Sequence, residues 1–409
     1  MTTQPMRGVR VLEVAQFTFT PAAGAVLADW GAEVIKVEHN VTGDSQRGLK
    51  IGTGGAAAGS FQPLMEHPNR GKKSIGLGLD TDAGRTVLYD LARTCDVFLT
   101  NYLPSARAKL QIDVEHIRAV NPDIVYVRGS AHGPRGADAD LGGYDSSAFW
   151  SRGGSAIGCT PDDSPTLMNQ PSGAYGDSLG GMTIAGGIAA ALFARERTGE
   201  TSIVDVSLLG LGTWATALSV NTALLTGAAP PRAPGGGAPH LTFNPLIGNY
   251  RTSDGRFVNL TMLQPGRYWA DVCRHIDRED LIDDPRFDTA EKLMADAAGA
   301  GAHVAAAIAT RPYAYWMERF KTLSGQWAPN NDALEVGADP QVRANGYIVP
   351  VEDAEGNVRE LVASPVQFDE TAFTITRAPL FAEHTDELVM STGRSMDEVI
   401  DLKIAGVIT

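Results

Sequence analysis

Val9-Arg-Val-Leu-Glu-Val14, a turn, the segment from Pro21 to Trp30, and then Ala32-Glu-Val-Ile-Lys-Val37 form the stretch that decides the fold. The two apolar, β-branched runs read as strands and the segment between them as a helix. A strand, a short crossover helix and a second strand within about 30 residues make a parallel βαβ unit. No GxGxxG follows the first strand, so a dinucleotide fingerprint is absent and no dinucleotide cofactor is expected. Working outward, the alternation repeats: Ser74-Ile-Gly-Leu-Gly-Leu79, a helix from Ala83 to Thr94, Asp96-Val-Phe-Leu-Thr100, a helix near Val114 to Val120, then Ile124-Val-Tyr-Val-Arg-Gly129. This pattern predicts an α/β fold whose large domain is a Rossmann-like parallel sheet.

At 409 residues the chain exceeds one ordinary domain, and two are expected. Hydrophobic content of 43% and charged content of 20% describe a soluble globular protein. The formal charge of −14 argues against nucleic acid or membrane as a partner. Any polyanionic ligand must therefore be met by locally gathered cations. Cys95, Cys159 and Cys273 are far apart and read as buried spectator thiols. The histidines show no HxH or HExxH spacing, so no metal site is expected. No apolar run precedes the first strand and none reaches ~18 residues, which makes a cytoplasmic location the expectation.

Between Gly129 and Ser172 the composition turns to Gly, Ser, Asp and Pro over a length that suits a functional loop. Gln170-Pro-Ser-Gly-Ala-Tyr-Gly-Asp177 is turn-rich, and a helix is expected from Ser178 until Gly199 stops it. Gly180, Gly181, Ala185, Gly186 and Gly187 forgo side-chain volume, so something large must lie against the helix backbone. A strand at Ser202 to Val206 and an apolar helix from about Leu208 to Leu225 follow. Thr226 to Pro239, rich in Pro and Gly, is the best boundary in the chain. Beyond it, Tyr250 to Met262 reads as two strands around an Asp254-Gly255 turn, followed by helices near Tyr268 to His275, Ala290 to Thr310 and Pro312 to Leu323. From Asp332 strands return, and a last helix is expected near Met396 to Ala405.

Asp177 sits where the helix is expected to begin. As an N-cap it would accept hydrogen bonds from the first free amides, a contribution of about 1 kcal/mol. As a nucleophile it would be kept ionised and oriented by those same amides, with flanking glycines admitting a bulky substrate. Arg70, Lys72 and Lys73 lie directly before a strand, and Arg47, Arg107 and Lys109 lie in loops near other strand ends, where anions bind in open α/β folds. A solvated surface run is the plain alternative.

Gly176-Asp177 with Gly180-Gly181, Gly199 and Val204-Asp-Val-Ser-Leu-Leu209 is one set of landmarks. Leu27-Ala-Asp-Trp-Gly-Ala-Glu-Val-Ile-Lys-Val-Glu38, Gly43-Asp44 with Arg47, Asn69-Arg-Gly-Lys-Lys-Ser74, Asn101-Tyr102, Asp284-Pro-Arg-Phe287, Arg377-Ala-Pro379 and His384-Thr385 are the others. In this order and spacing the chain resembles the family III coenzyme A transferases of the CaiB/BaiF type, a group that includes formyl-CoA transferase, carnitine CoA transferases and α-methylacyl-CoA racemases. The resemblance covers nearly the whole chain. It implies a discontinuous large domain of residues 1–225 and 331–409, a linker and smaller α+β domain at 226–330, and an interlocked homodimer. It also implies coenzyme A as co-substrate, an acyl-CoA donor and a carboxylic acid acceptor.

The resemblance implies roles for single residues as well. Asp177 matches the family's nucleophile. Arg70, Lys72, Lys73 and Lys109, with Arg47 and the Asn101-Tyr102 pair, match its CoA-binding region. Gly235-Gly236-Gly237 resembles the glycine loop that closes over the nucleophile, where amides can approach an oxyanion; a plain flexible linker is the alternative. Thr18 stands where formyl-CoA transferase has a Gln that helps to hold the thioester. Tyr144-Asp145 stands where the racemases carry His next to Asp. Tyrosine is a poor base at neutral pH, so this departure points away from racemisation and toward acyl transfer. Three functions thus remain: a CoA-transferase, a 2-methylacyl-CoA racemase with His132 as a substitute base, and a non-catalytic acyl-CoA binding protein.

Overall fold

The opening stretch folds as a parallel pair: β1 (Arg10–Val14) and β2 (Glu33–Glu38) flank α1 (Phe19–Asp29), with Leu12 opposite Ile35. The computed structural model describes residues 4–49, 59–232 and 243–409. Four more strands, β3 (Lys73–Gly76), β4 (Val97–Thr100), β5 (Val125–Ser130) and β6 (Ile203–Ser207), complete a six-stranded parallel sheet in the order 3-2-1-4-5-6. Alternate residues face opposite sides. Val11, Val97 and Val125 join the core of α1 and α7 (Tyr175–Thr198), whereas Leu12, Phe98 and Tyr126 join Val87, Leu91 and Ile117 on the other face. Both faces are covered, so the central strands are largely apolar, and the charged Glu13 of β1 and Lys36 of β2 are buried and paired.

The remaining helices on this part of the chain are α2 (Pro63–Asn69), α3 (Asp82–Ala92), α4 (Pro104–Leu110), α5 (Val114–Val120), α6 (Ser155–Cys159), α8 (Leu208–Ala215) and α9 (Ala217–Thr226). The described residues divide into two compact units: one of residues up to 157, 169–230 and 340–409, the other of 158–168 and 231–339. In the first unit, a hairpin of β10 (Ile348–Glu352) and β11 (Val358–Val362) and helices at Thr385–Met390 and Met396–Ile404 come from the far end of the sequence. The second unit has an antiparallel sheet of β7 (Ile247–Arg251), β8 (Phe257–Thr261) and β9 (Trp327–Pro329). Gly255 closes its first hairpin at φ 84, a conformation glycine adopts freely. Its core gathers Tyr250, Leu260, Trp269, Phe287 and Trp316.

Four expectations are corrected. The apolar helix after β6 is two, α8 and α9, bent by 72° around Thr216, whose hydroxyl lies 2.8 Å from Gly153 O. The helix expected over Ala290 to Thr310 splits at Asp296, whose carboxylate accepts from Gly299 N–H and starts the second piece. Cys159 is exposed. Helix α7 begins at Tyr175, with Ala174 in the left-handed region at φ 58 as its cap, so Asp177 lies inside the first turn. Helix α7 is also long and apolar enough to cross a membrane, but its Ile184, Ala185 and Ile188 are buried in the core.

The small face of α7 is filled by protein. A Cβ on Gly181 would stand 2.5 Å from Ala22 Cβ, one on Gly180 would strike the Phe19 ring, and one on Gly176 would stand 2.5 Å from the Phe149 ring. These glycines let α1 and Phe149 approach the helix; they do not serve to admit a bulky substrate.

Candidate active site

A cavity of about 610 Å³ opens where the loops after β1, β4 and β5 converge with β6. Strand order reverses between β1 and β4, and in open α/β sheets the crevice outside the carboxyl ends at that switch point is where ligands bind. Asn101 fastens the two sides: it accepts from Gln16 N–H at 3.0 Å and donates to Gln16 O at 2.7 Å, while Gln16 Nε2 donates to Tyr102 Oη at 2.9 Å. Phe17 is held at φ 64, a strained conformation for a bulky residue. Its N–H donates to Asp44 Oδ1 at 3.1 Å, and the other Asp44 oxygen meets the fully buried Lys36 ammonium at 2.8 Å. So held, the Phe17 ring meets Tyr144 edge to face at 5.6 Å across the cavity wall.

Asp177 reaches the cavity from the first turn of α7 and is half-buried. Burial, reinforced by the nearby Asp145 charge, pushes its carboxyl up from 3.8 to about 7. The expectation that the helix end keeps this group ionised is therefore corrected: burial and a like charge raise it toward neutrality. Asp145 is buried and opens a π-helical turn over Asp145–Ser151, in which Arg152 N–H donates to Ser147 O at 3.0 Å. Its oxygens accept from Ser146 N–H at 2.7 Å and from Gln170 Nε2 at 3.0 Å. The site thus has one carboxyl that titrates near neutrality beside one that is held by donors.

A family model described as CoA-transferase family III matches residues 6–385. The chain belongs to CoA-transferase family III. Among curated relatives, cinnamoyl-CoA:phenyllactate CoA-transferase of Clostridium sporogenes is 29% identical, over 98% of this chain and 96% of the relative. Succinate–glutarate CoA-transferase of Agrobacterium fabrum is 30% identical, over 94% and 95%. A CAIB/BAIF family protein from Brucella suis has a solved structure with TM-score 0.79 and 26% identity, covering 96% of this chain and 100% of that one.

Within this family III chain, several residues expected at the site are engaged elsewhere. Arg70 is buried on Asp29, at 2.7 Å, and Lys72 is buried on both Glu13 oxygens, at 2.7 and 2.8 Å, with Pro21 O as a further acceptor. All three Lys72 N–H groups are taken up, Arg70 is buried on its carboxylate, and neither residue, expected to bind CoA, lines the cavity. Arg47 forks onto Glu38 at 2.7 Å and lies beside a separate small pocket with Arg377. Lys73 bridges Glu33 and Glu387. Thr18 is buried and its hydroxyl donates to Gln46, so Phe17 lines the cavity in its place. Lys109 is exposed on the last turn of α4. Asn101, Tyr102, Tyr144 and Asp177 line the cavity, and the charge of buried Asp145 acts on Asp177. Gly235, Gly236 and Gly237 lie outside the described residues, as does His240.

Among the described residues, the cations on the cavity wall are Arg107, paired with Asp113, and Arg128, which forks onto Asp205 at 2.6 and 2.9 Å. No grouping of His, Cys, Asp or Glu suited to a metal occurs among the described residues. Reading the sequence missed Gln170, the Gln16–Asn101 clamp and the Lys36–Asp44 support, because each depends on contacts between distant segments. The local signs were the landmarks that hold Lys36, Asp44 and Asn101, but none of them told which residue each would meet.

Proposed function

We propose that this chain is an acyl-CoA:carboxylate CoA-transferase that works through an aspartyl-CoA thioester on Asp177. The observation that carries the reading is a half-buried Asp177 carboxyl facing a cavity at the switch point of a family III chain. The ionised Asp177 oxygen attacks the donor thioester carbonyl, the CoA thiolate leaves, and a mixed anhydride forms. The thiolate then attacks the Asp177 carbonyl and expels the donor acid, leaving aspartyl-CoA. The acceptor carboxylate reverses these steps, and the thioester energy is kept from water throughout. Coenzyme A is the co-substrate, the working unit is a homodimer, and the compartment is the cytoplasm.

Because only ionised Asp177 attacks, the transfer rate should rise with pH through about 7. With its wall cations already paired, the cavity suits an apolar acyl group better than one bearing a second carboxylate. The experiment is intact mass and peptide mapping after incubation with short, branched and aromatic acyl-CoA thioesters, with Asp177→Ala as control. A CoA-sized adduct on the Asp177 peptide, absent from the variant, is expected. CoA binding without an adduct from any thioester would sink the transferase reading.

A second reading is favoured by one observation. A carboxyl poised near neutrality beside another carboxylate suits proton transfer, so Asp177 and Asp145 support α-proton exchange on a 2-methylacyl-CoA. That reading predicts deuterium uptake at the α-carbon and no covalent adduct.

A further inference from the structure

We propose that Phe17 and Tyr144 are specificity-determining residues, whose rings select a flat aromatic acyl group for the site that holds Asp177. The inference rests on the transferase reading and names the acyl class that the site takes. The two rings line the same cavity as Asp177 and stand 5.6 Å apart at 89°. Rings at right angles make an apolar corner. A third ring set in that corner can lie offset against one of them and edge to face with the other, contacts that a straight alkyl chain of similar size does not make.

The backbone at Phe17 singles it out. Its φ of 64 lies in the left-handed region, which bulky residues avoid. Such an outlier persists only where its surroundings dictate it, and it points to function. Here they do so residue by residue. Ala15 O accepts from the buried Lys36 ammonium at 3.0 Å, and Gln16 is clamped through both backbone groups by Asn101. Phe17 N–H donates to Asp44 Oδ1, an oxygen that also accepts from Gln46 N–H at 2.9 Å. The Thr18 hydroxyl donates to Gln46 Oε1 at 2.9 Å. Of the side chains in this turn, Gln16 is engaged by Tyr102 and Ser45 and Thr18 is buried on Gln46, which leaves the Phe17 ring to meet a ligand.

Both ring-bearing segments flank the first turn of α7. Phe19, two residues after Phe17, packs so close that a Cβ on Gly180 would strike its ring. Phe149, in the π-helical turn that Tyr144 caps, stands against Gly176, directly before Asp177. Leu103, Pro104, Ala131 and Leu208 extend the apolar wall, and its Arg107 and Arg128 are both paired with carboxylates. The wall thus offers contact to carbon and no spare cation to a second acid group.

The test uses full-length protein with 3-phenylpropionyl-CoA and hexanoyl-CoA. Calorimetry gives the binding of each thioester, and exchange of each isotope-labelled free acid into its own thioester gives turnover with no need to know the natural acceptor. The native protein should prefer the aryl thioester. Phe17→Leu keeps apolar bulk at the same backbone angle and should lower the aryl-to-alkyl ratio roughly three- to tenfold in both readouts. Phe17→Tyr should restore it. Tyr144→Leu alters an exposed side chain and should lower the ratio too, so the test does not depend on the folding of Phe17→Leu. A native protein without the aryl preference, or an unmoved ratio in either leucine variant, would overturn the proposal. A binding preference that falls in the variants, without exchange or an aspartyl-CoA adduct, would uphold the aromatic pair and refute the transferase reading. Exchange with an unmoved ratio would do the reverse.

Discussion

Asp177 and Lys72 look alike in the sequence, each a charged residue among family landmarks, yet their surroundings make opposite demands. The Asp177 carboxyl is raised to about 7 from 3.8, so the folded protein holds a proton that the unfolded chain gives up first. Stability therefore falls as pH climbs from about 4 to about 7 and is level above that. The loss is on the order of 1–4 kcal/mol, at the lower end where water reaches the half-buried group. Asp177→Asn removes the titration, so its melting temperature relative to the native protein should climb between pH 4 and pH 8. An equal gap at both values would refute the raised carboxyl. Lys72 in turn neutralises a buried Glu13. Lys72→Met should cost about 3–5 kcal/mol in denaturant unfolding, because it takes both short bonds from the buried Glu13 carboxylate and leaves it only the longer contact with Lys36 at 3.4 Å, while the folded fraction keeps its affinity for CoA. Weakened CoA binding at unchanged stability would restore Lys72 to the phosphate site. Sequence spacing showed that cations gather near strand ends, but it could not show which of them face inward onto Glu13 or Asp29. That Asp177 stands at a helix start was legible because the turn and the flanking glycines are local; its raised carboxyl was not, because Asp145 arrives through a loop and a π-helical turn.

At the scale of elements, α7 shows why two glycines of one helix are not equivalent. Gly181 faces the α1 backbone, and a Cβ there would sit 3.0 Å from Ala22 C and Ala23 N. Gly186 is exposed, with nothing within 4 Å of a Cβ. Gly181→Ala should destabilise by about 1–3 kcal/mol through overpacking. Gly186→Ala should stabilise by up to about 1 kcal/mol through helix propensity. Thermal melts of the two variants should move in opposite directions, and movement the same way would refute the close approach of α1. The strands and helices of the parallel sheet were legible because period and turn residues are local signals. The break between α8 and α9 was not: Thr216 carries no helix-breaking signature, and the bend is accompanied by contact with Gly153, more than sixty residues earlier.

The whole molecule leaves a large apolar surface uncovered. No residue of α9 is buried, and Trp214, Leu218 and Leu225 are 82%, 83% and 87% exposed. Patches of that kind mark surfaces that meet other protein. Together with the homodimer proposed above, this predicts that light scattering on the purified protein gives twice the 43.3 kDa chain mass. Leu218→Glu with Leu225→Glu should shift the mass toward the monomer, and a native monomer would refute the prediction. The discontinuity of the first unit has a consequence in time. Ala378 N–H donates to Glu66, His384 N–H to Ser74 O and Ser364 N–H to Asp29, each pair separated by more than 300 residues. At about 5–20 residues per second, a ribosome needs roughly 15–60 s between making the two halves of each bond. For that interval the nascent sheet must keep its β3 side open with Glu66 and Asp29 lacking those donors, which makes the emerging chain a natural client for chaperones well before its active site can close.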